Sequence, residues 1–351
     1  MKILHCADLH LGSPLTARLS GEKLAMRRAE LTASFFTLVR VAKEAGATAF
    51  LLSGDIFDSS ATAEVHIADF LSEIEKNPQI GFYYIPGNHE KDLLKGRYLP
   101  TNLYTFGEEW HYYPLPGVTI AGRNLPEDGM FSSLNLPRGT VNFVLLHGAV
   151  TEGYTGEIPL AAAAGKNIDY LALGHYHAFT ELTVDTRGVA VYPGSPEGRG
   201  FDETGAHGCV LIDTDGARPT FRFIRTAKRL YLAPEIALDG AESSAEIERR
   251  ADAALADISR ASAVRLTFVG TNPGLPLPTA SLTYRYGKEF FLFEIKDKSA
   301  LDLRRAALES PLARAFIASC EEDATLSEEE RRTVLTMGLS ALAGEELPSD
   351  I

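Results

Sequence analysis

The chain alternates short apolar runs with amphipathic stretches from Lys2 to about Arg225. Five runs end in polar or ionisable residues, and they read KILHCAD, TAFLLSGD, FYYIPGNHE, VNFVLLHG and YLALGHYH. Apolar runs of this length, bounded by glycine or proline, are typical of buried strands. Residues 25–44 place apolar side chains on one helical face before a capping Gly46, and residues 62–75 can form a second helix. The pattern predicts βαβ units and a sheet that is at least partly parallel.

The pattern changes after the fifth run. The segments VAVYPGS, GCVLIDTD and PTFRFIRT predict a meander of further strands, some of them antiparallel. Residues 229–297 contain a charged helical stretch and two strand-like segments around a proline-rich loop, which predicts a smaller α+β unit. Residues 298–351 have a helical pattern, in which Ser310-Pro311 is a typical helix start. We therefore expect three units, with the first covering residues 1–228.

The composition is that of a globular protein, with 351 residues, 45% of them hydrophobic and 23% charged. No apolar run approaches the roughly 20 residues of a membrane-spanning helix, and the first apolar stretch is too short for a signal peptide. We therefore expect a cytoplasmic protein with no membrane contact. The three cysteines form no CxxC pair, which indicates neither a disulfide framework nor a zinc ribbon. The net charge of -13 disfavours a wholly nucleic-acid-binding surface but leaves room for a local basic groove.

The chemistry of the chain is concentrated where the five apolar runs end. The polar clusters there are Asp8-Leu9-His10, Gly54-Asp55, Gly87-Asn88-His89-Glu90, His147-Gly148 and Gly174-His175-Tyr176-His177. In open α/β sheets the carboxyl ends of the strands form the ligand-binding edge, so we expect these clusters to meet. Side chains two residues apart on an extended chain point the same way, which brings His175 and His177 to one pocket.

These side chains predict a metal site. Its candidate ligands are Asp8, His10, Asp55, Asn88, His147, His175 and His177. Oxygen and imidazole ligands without a thiolate suit Mn²⁺, Fe or Zn²⁺ and argue against an iron–sulfur centre. So many ligands exceed what one tetrahedral ion uses and are about right for two ions, with Asp55 as the natural bridge. Each residue alone is more often structural, but here separate strand ends would all have to place metal-type residues by accident.

In these motifs the chain resembles the calcineurin-like metallophosphoesterases. Their pattern of DxH, GDxxD, GNHE, a later histidine and GHxH stands here in order, from Asp8 to His177. Within that family, the opening KILHCADLHLGSPL and the segment from Tyr192 to Glu203 are similar to the SbcD-type DNA repair nucleases and their YhaO-like bacterial relatives. The resemblance implies an α/β fold: a four-layer αββα sandwich with a smaller α+β capping domain and a C-terminal helical tail.

The resemblance also implies a role for each motif. One divalent ion would be held by Asp8, His10, Asp55 and His177, and the other by Asp55, Asn88, His147 and His175. His89 would face the substrate phosphate as the catalytic acid or hydrogen-bond donor to the leaving oxygen. Asp58 stands where archaeal and eukaryotic relatives usually have a histidine, which leaves His89 as the main acid candidate. The metal implied is Mn²⁺, with Fe or Zn²⁺ as alternatives.

The leading functional hypothesis is a metal-dependent DNA nuclease that acts in DNA repair or end processing. It would be an exonuclease, with endonuclease activity left open, and would hydrolyse phosphodiesters with a water activated by two metals. By resemblance, residues 229–297 would select DNA ends and residues 298–351 would dock an SbcC-type coiled-coil ATPase. A homodimer would follow from the same resemblance.

Two alternative functions are also compatible with the sequence. The first is a phosphatase or cyclic-nucleotide phosphodiesterase on the same dimetal site, which the acidic net charge favours. The second is a non-catalytic scaffold, which predicts replaced ligand positions, and none is replaced.

Other residues rank lower as functional candidates. His5 is expected in the core or beside the site, His207 could support the site, and Glu90 is expected to be structural. Arg199 could contact a phosphate but is more typical of an exposed loop arginine. A run of cations after GNHE could form a basic rim for a polyanion, although such a run is usually a solvated face; it consists of Lys91, Lys95 and Arg97.

Overall fold

The computed structural model describes residues 1–15, 19–59, 62, 64–88, 90, 92–151, 153, 157–216, 218–273, 275–301 and 310–342. The chain divides into two compact units, Met1–Leu230 and Tyr231–Ile351. The three predicted functional segments, 1–228, 229–297 and 298–351, stay predictions. No helix in the described part of the chain is long and apolar enough to cross a membrane.

The first unit is built on two six-stranded sheets. Its strands are β1 (Lys2–Cys6), β2 (Ala47–Ser53), β3 (Gly81–Ile85), β4 (Leu103–Thr105), β5 (His111–Leu115), β6 (Val118–Gly122), β7 (Val141–His147), β8 (Val150–Thr151), β9 (Ile158–Pro159), β10 (Tyr170–Gly174), β11 (Thr180–Thr183), β12 (Val189–Tyr192), β13 (Gly208–Asp213) and β14 (Thr220–Arg225). The five apolar runs of the sequence form β1, β2, β3, β7 and β10, as predicted.

The two sheets are mainly parallel. The first has the order β14-β13-β1-β2-β3-β4, in which β1 to β4 pair in parallel and β13 pairs antiparallel with β1. The second has the order β11-β12-β10-β7-β6-β5, with parallel pairs from β12 to β6 and antiparallel edge strands. The predicted meander after the fifth run is therefore wrong for β12, because this strand joins the second sheet. Hydrophobic patterning identifies a strand but not its partner, which the crossover connections decide.

Helices cover the outer faces of the two sheets unequally. The helices of this unit are α1 (Gly21–Ala45), α2 (Glu64–Glu75), α3 (Leu160–Ala163) and a 3₁₀ turn (Met130–Ser132). The long helix α1 ends at Gly46, whose left-handed φ of 70° lets its N–H bond the carbonyl oxygens of Ala42 and Lys43. Only short elements cover the second sheet, so that the fourth layer is thin.

Apolar side chains fill the space between these layers. Leu51 of the first sheet packs with Phe143 of the second in one buried core, while Phe35 of α1 packs with Phe50 on the outer face of the first sheet. A third core lies on the outer face of the second sheet and includes Phe131. The order helix, sheet, sheet, helix confirms the predicted αββα sandwich.

The second unit alternates strands and helices. Its elements are β15 (Tyr231–Leu232), β16 (Glu235–Ala237), α4 (Ser244–Leu255), β17 (Ala263–Val269), β18 (Thr271–Asn272), α5 (Thr279–Tyr286), β19 (Leu292–Asp297), β20 (Ala300–Leu301), α6 (Pro311–Glu322) and α7 (Glu328–Leu342). Strand β17 is central and pairs in parallel with β15, β16 and β19. Helices α6 and α7 pack through Ile317 and Leu335, and Ser310 caps α6 by accepting a hydrogen bond from the N–H of Ala313 at 3.2 Å.

Candidate metal centre

The loops that follow β1 and β2 run together at the carboxyl edge of the first sheet. The N–H of Asp8 donates to Gly54 O at 3.0 Å, and the N–H of His10 donates to Asp55 O at 3.0 Å. These bonds continue the parallel pairing of the two strands beyond their ends. The DxH and GDxxD motifs are thereby fixed side by side, as the sequence predicts.

Backbone strain is concentrated in the predicted ligands. Four of them have a positive φ, namely Asp8 (54°), His10 (47°), Asp55 (50°) and His175 (121°). Such a conformation costs a non-glycine residue on the order of 1–3 kcal/mol and persists only where the surroundings impose it. Its recurrence here indicates a site whose side-chain directions matter more than local backbone stability.

Two glycines allow the close approach that this site needs. A Cβ on Gly87 would collide with the Asp55 carboxylate, and a Cβ on Gly174 would collide with the carbonyl oxygen of Ser53. Any other residue at either position would therefore push two of the converging loops apart.

Five of the seven predicted ligands come together in two groups that share one residue. The inner group is Asp8, Asp55 and His147, and the outer group is Asp8, His10 and His177. Within each group, one ligand atom of each residue lies within 4.8 Å of the others. Asp8 belongs to both groups. The assignment of Asp55 as the shared ligand stays a prediction.

The remaining predicted residues lie beside these groups or outside the described chain. His175 donates its backbone N–H to both carboxylate oxygens of Asp8, at 3.0 and 3.1 Å, and its ring centroid is 5.8 Å from that of His147. Asn88 is exposed in the turn after β3. His89, the predicted catalytic acid, lies outside the described residues. The roles of these three residues stay predictions.

The three histidines of the two groups turn the same ring nitrogen, Nδ1, toward an oxygen atom. Nδ1 lies 2.8 Å from Ser53 O in His147, 2.8 Å from Glu203 Oε1 in His177 and 3.5 Å from Asp58 Oδ1 in His10. A hydrogen-bond acceptor at Nδ1, as in His147 and His177, favours the tautomer whose Nε2 lone pair is open to a metal.

The Nε2 atoms of these histidines face other candidate ligands. Nε2 of His10 and Nε2 of His177 face each other at 3.2 Å. Nε2 of His147 is buried 3.4 Å from Asp55 Oδ2 and makes no hydrogen bond to the described residues. Imidazole and carboxylate donors that converge in this way fit divalent ions of the Mn²⁺, Fe and Zn²⁺ type.

The buried carboxylates favour positively charged neighbours at this site. Burial raises the pKa of Asp8 to about 6, although His147 and His177 oppose this shift. Burial lowers the pKa of His147, but the carboxylates of Asp55 and Asp8 outweigh burial and raise it to about 9. An ionised Asp8 therefore needs cationic neighbours, and divalent ions supply them.

Glu90 fixes the loop that carries Asp55. Its side chain is fully buried and accepts backbone N–H groups from Ile56 (3.0 Å), Phe57 (2.6 Å) and Gly87 (3.3 Å). One carboxylate thus ties the GDxxD loop to the GNHE loop, which is the structural role that we predict from the sequence.

His5 supports the inner group from inside the sandwich. Its buried ring lies 2.9 Å from the hydroxyl of Tyr170 and 3.1 Å from that of Ser53, and Ser53 O is the acceptor for His147. Burial lowers the pKa of His5 to about 3, so the ring is neutral at ordinary pH. The sequence places His5 correctly, but its partners come from another strand and the other sheet.

Arg199 and Glu203 are the supporting residues that the sequence analysis did not identify. The expectation of an exposed loop arginine is wrong, because the Arg199 side chain is 24% exposed and forms ion pairs with Glu203 and Asp58. The backbone of Glu203 is also held in place, because Nε2 of buried His207 lies 3.0 Å from the carbonyl oxygen of Glu203. Only the segment GSPEGRGFDE, which follows β12, hinted at these contacts.

The predicted basic rim is largely neutralised. Lys95 lies 3.5 Å from Asp92, and Arg97 pairs with both oxygens of Glu64 at 2.6 and 2.7 Å. Lys91 lies outside the described residues. The two described cations of this run therefore give little support to a polyanion-binding surface.

Comparison with known proteins agrees with this site. Residues 1–179 match the model of the calcineurin-like phosphoesterase family. The chain is 27% identical over 254 residues to the DNA double-strand break repair protein Mre11 of Saccharolobus solfataricus, covering 65% of this chain and 64% of that protein. It is 25% identical over 300 residues to the uncharacterized metallophosphoesterase YhaO of Bacillus subtilis, covering 78% and 72%.

A second Mre11 protein, from Methanopyrus kandleri, is 26% identical over 288 residues, covering 71% of this chain and 62% of that protein. The chain thus spans less than two thirds of both Mre11 relatives. Among solved structures, it is similar to the phosphoesterase Yfce from E. coli, with a TM-score of 0.34, 14% identity and coverage of 61% and 90%. A dimetal phosphatase from Danio rerio gives a TM-score of 0.39, 12% identity and coverage of 63% and 95%.

Proposed function

We propose, from the premise that the chain belongs to the calcineurin-like phosphoesterase family, that it is a dimetal phosphodiesterase acting as a DNA nuclease. The observation that carries the proposal is the pair of ligand groups joined at Asp8, which provides two neighbouring cation positions. When bound, two divalent ions neutralise phosphate charge and lower the pKa of an attacking water.

The residues of the chain would bind these ions and assist the leaving oxygen. Asp55 and His147 would hold the inner ion, and His10, His177 and Asp55 the outer one, with Asp8 close to both positions. Asn88 and His175 are proposed as further ligands of the inner ion. His89 is proposed to donate a proton or hydrogen bond to the leaving oxygen.

DNA as substrate is supported by the relatives. Two of them are named as double-strand break repair proteins, and their aligned regions cover 65% and 71% of this chain. We propose Mn²⁺ as the metal and a cytoplasmic location. We also propose that residues 229–297 select DNA ends, that residues 298–351 dock an SbcC-type ATPase, and that the chain forms a homodimer.

A nuclease assay tests the catalytic proposal directly. Purified chain with Mn²⁺ is expected to degrade 5′-labelled linear duplex or single-stranded DNA, and Asp55→Asn is expected to abolish this. Asp202→Asn serves as the matched control, because Asp202 is an exposed carboxylate. Nuclease activity that survives Asp55→Asn would overturn the two-metal proposal.

The alternative is a phosphatase or cyclic-nucleotide phosphodiesterase on the same residues. The pairing of Lys95 and Arg97 with acidic neighbours favours it, since a long polyanion gains little from neutralised cations. Turnover of DNA, cyclic nucleotides and phosphoproteins under the same conditions separates the two functions.

Deletion of residues 300–351 tests the docking proposal. The truncated chain is expected to keep nuclease activity and to lose an SbcC-type ATPase that co-purifies with the full chain. A full chain that never captures this ATPase from its host lysate contradicts the docking proposal but not the catalytic one.

A further inference from the structure

The two histidines that belong only to the outer group are each backed by a carboxylate. Oε1 of Glu203 lies 2.8 Å from Nδ1 of His177, and Oδ1 of Asp58 lies 3.5 Å from Nδ1 of His10. A carboxylate behind a ligating histidine fixes both its tautomer and the direction of its ring. The outer group therefore depends on where these two acidic side chains are held.

Arg199 contacts both of these carboxylates at once. Its Nη2 and Nε lie 2.9 and 3.0 Å from Oε1 of Glu203, and its backbone N–H donates to Oε2 at 2.9 Å. Its Nη1 lies 3.5 Å from Oδ1 of Asp58. Nη2 also lies 3.1 Å from Nδ1 of His177. One guanidinium thus spans from the loop after β12 to the loop after β2.

The shape of arginine suits this position. A planar guanidinium presents donors in several fixed directions and can hold two carboxylates, whereas a lysine ammonium acts as a point charge on a flexible stem. The inner group is held in a different way by the residues that the structure describes. His147 is held there by the carbonyl oxygen of Ser53, and the loop that carries Asp55 is held by Glu90.

We propose that Arg199 is a positioning residue that sets the affinity of the outer ion, selectively over the inner ion, by fixing Asp58 and Glu203 behind His10 and His177. The inference rests on the proposed two-metal site. It differs from a role in substrate binding, in which the guanidinium would contact the phosphate itself. It also differs from a purely electrostatic role, in which only the positive charge would matter.

If only the charge of Arg199 mattered, its neutralisation would raise the affinity for the outer ion, whereas a positioning role predicts that the affinity falls. Arg199 with its two carboxylates carries a net charge of -1, so that neutralising the arginine makes the surroundings of the outer ion more negative. Coulomb attraction would then strengthen cation binding. Loss of the positioning contacts weakens it, typically by about 10- to 100-fold for residues that support a metal ligand.

The experiment is a Mn²⁺ titration of the EDTA-treated full chain, followed by calorimetry and by the electron paramagnetic resonance signal of free Mn²⁺. Wild type is expected to bind two ions. In both Arg199→Lys and Arg199→Gln, one ion is expected to bind about 10- to 100-fold more weakly while the other keeps its Kd. Glu203→Gln is expected to weaken the binding of the same ion.

Arg187→Lys is the matched control, because Arg187 forms a similar two-pronged contact with Asp169 at 2.9 and 2.6 Å. Thermal unfolding in EDTA checks that every variant is folded. A Kd for the outer ion that is unchanged in Arg199→Lys, or tighter in Arg199→Gln, overturns the positioning role in favour of charge. A KM for bis-p-nitrophenyl phosphate that rises at saturating Mn²⁺, with both Kd values unchanged, overturns it in favour of substrate binding.

The same titration distinguishes failure of the two-metal site from failure of the positioning role alone. A wild-type chain that binds fewer than two ions overturns the two-metal site and this inference with it. A wild type that binds two ions, with unchanged Arg199 variants, overturns the inference alone.

Discussion

The inner and outer groups use the same ligand types but are held by different means. The inner histidine and the inner loop are fixed by a carbonyl oxygen and by backbone N–H groups bound to Glu90. The outer histidines are backed by the side chains of Asp58 and Glu203, which Arg199 joins. The inner supports end on backbone groups of the converging loops, whereas the outer supports are contacts between side chains. We therefore expect substitutions at Arg199 and Glu203 to alter the outer position selectively.

The largest effect is expected where the two groups meet. Asp8→Asn removes the carboxylate that both groups share, so it is expected to lower binding from two Mn²⁺ ions to less than one. Hydrolysis of bis-p-nitrophenyl phosphate should fall by more than the roughly 100-fold typical of supporting residues. Metal analysis with the Asp202→Asn control measures this. A variant that keeps one tightly bound ion would show that the groups are independent.

The support that the Glu90 carboxylate gives to the inner loops is tested by Glu90→Gln. The substituted amide would face a backbone N–H with another N–H, and each buried donor left unsatisfied costs about 1–3 kcal/mol in the free energy of unfolding. Urea denaturation in EDTA measures the change. Glu109→Gln, at an exposed position, is the matched control. Equal stability of the two variants would mean that Glu90 does not hold the inner loops.

Low pH is expected to reduce the free energy of unfolding through His5, which also supports the inner group. Burial lowers its pKa from 6.5 to about 3, so the unfolded chain gains a proton below pH 6.5 while the folded chain does not. The stability contributed by neutral His5 is complete above pH 6.5 and falls as the pH drops toward 3. At pH 5 the loss amounts to about 2 kcal/mol.

The pH dependence of urea denaturation in EDTA measures this loss. His5→Gln removes the titrating ring, so the stability difference between pH 7.5 and pH 5 should shrink by the same amount. If the wild type and the variant lose stability equally, His5 is not the group that resists protonation.

The smallest effect is expected at the rim. Arg97 forms an exposed pair with Glu64, and exposed ion pairs contribute little. Arg97→Ala should leave the melting temperature, the Mn²⁺ affinities and the KM for DNA unchanged, in contrast to Arg199→Gln. A rise of several-fold in the KM for DNA would restore the basic rim as a substrate contact.

Much of the site could be predicted because its motifs follow strands. The apolar runs that become β1, β2, β7 and β10 are parallel neighbours within their sheets, and parallel strands end at a common edge. That rule suffices to bring Asp8 near Asp55, and His147 near His175. It does not identify the partners of β12, β13 and β14, because period-two patterning says nothing about which strand lies alongside.

Arg199 and Glu203 could not be assigned for the same reason. They lie in a loop, where neither periodicity nor a common sheet edge predicts a direction. Arg199 contacts a residue 141 positions away at Asp58, and Glu203 contacts His177 across 26 positions. Such contacts depend on the packing of separate loops, which leaves no local pattern in the chain.

The sequence by itself determined the α/β class, the five strand ends and the type of chemistry, because hydrophobic period and residue type are local properties. Only the tertiary structure decided that five of the predicted ligands lie in two groups that share Asp8. It alone also revealed the positive φ of four predicted ligands and the different supports of the two groups. These features arise where loops from separate strands press together, and the free energy that imposes them comes from packing across the whole unit.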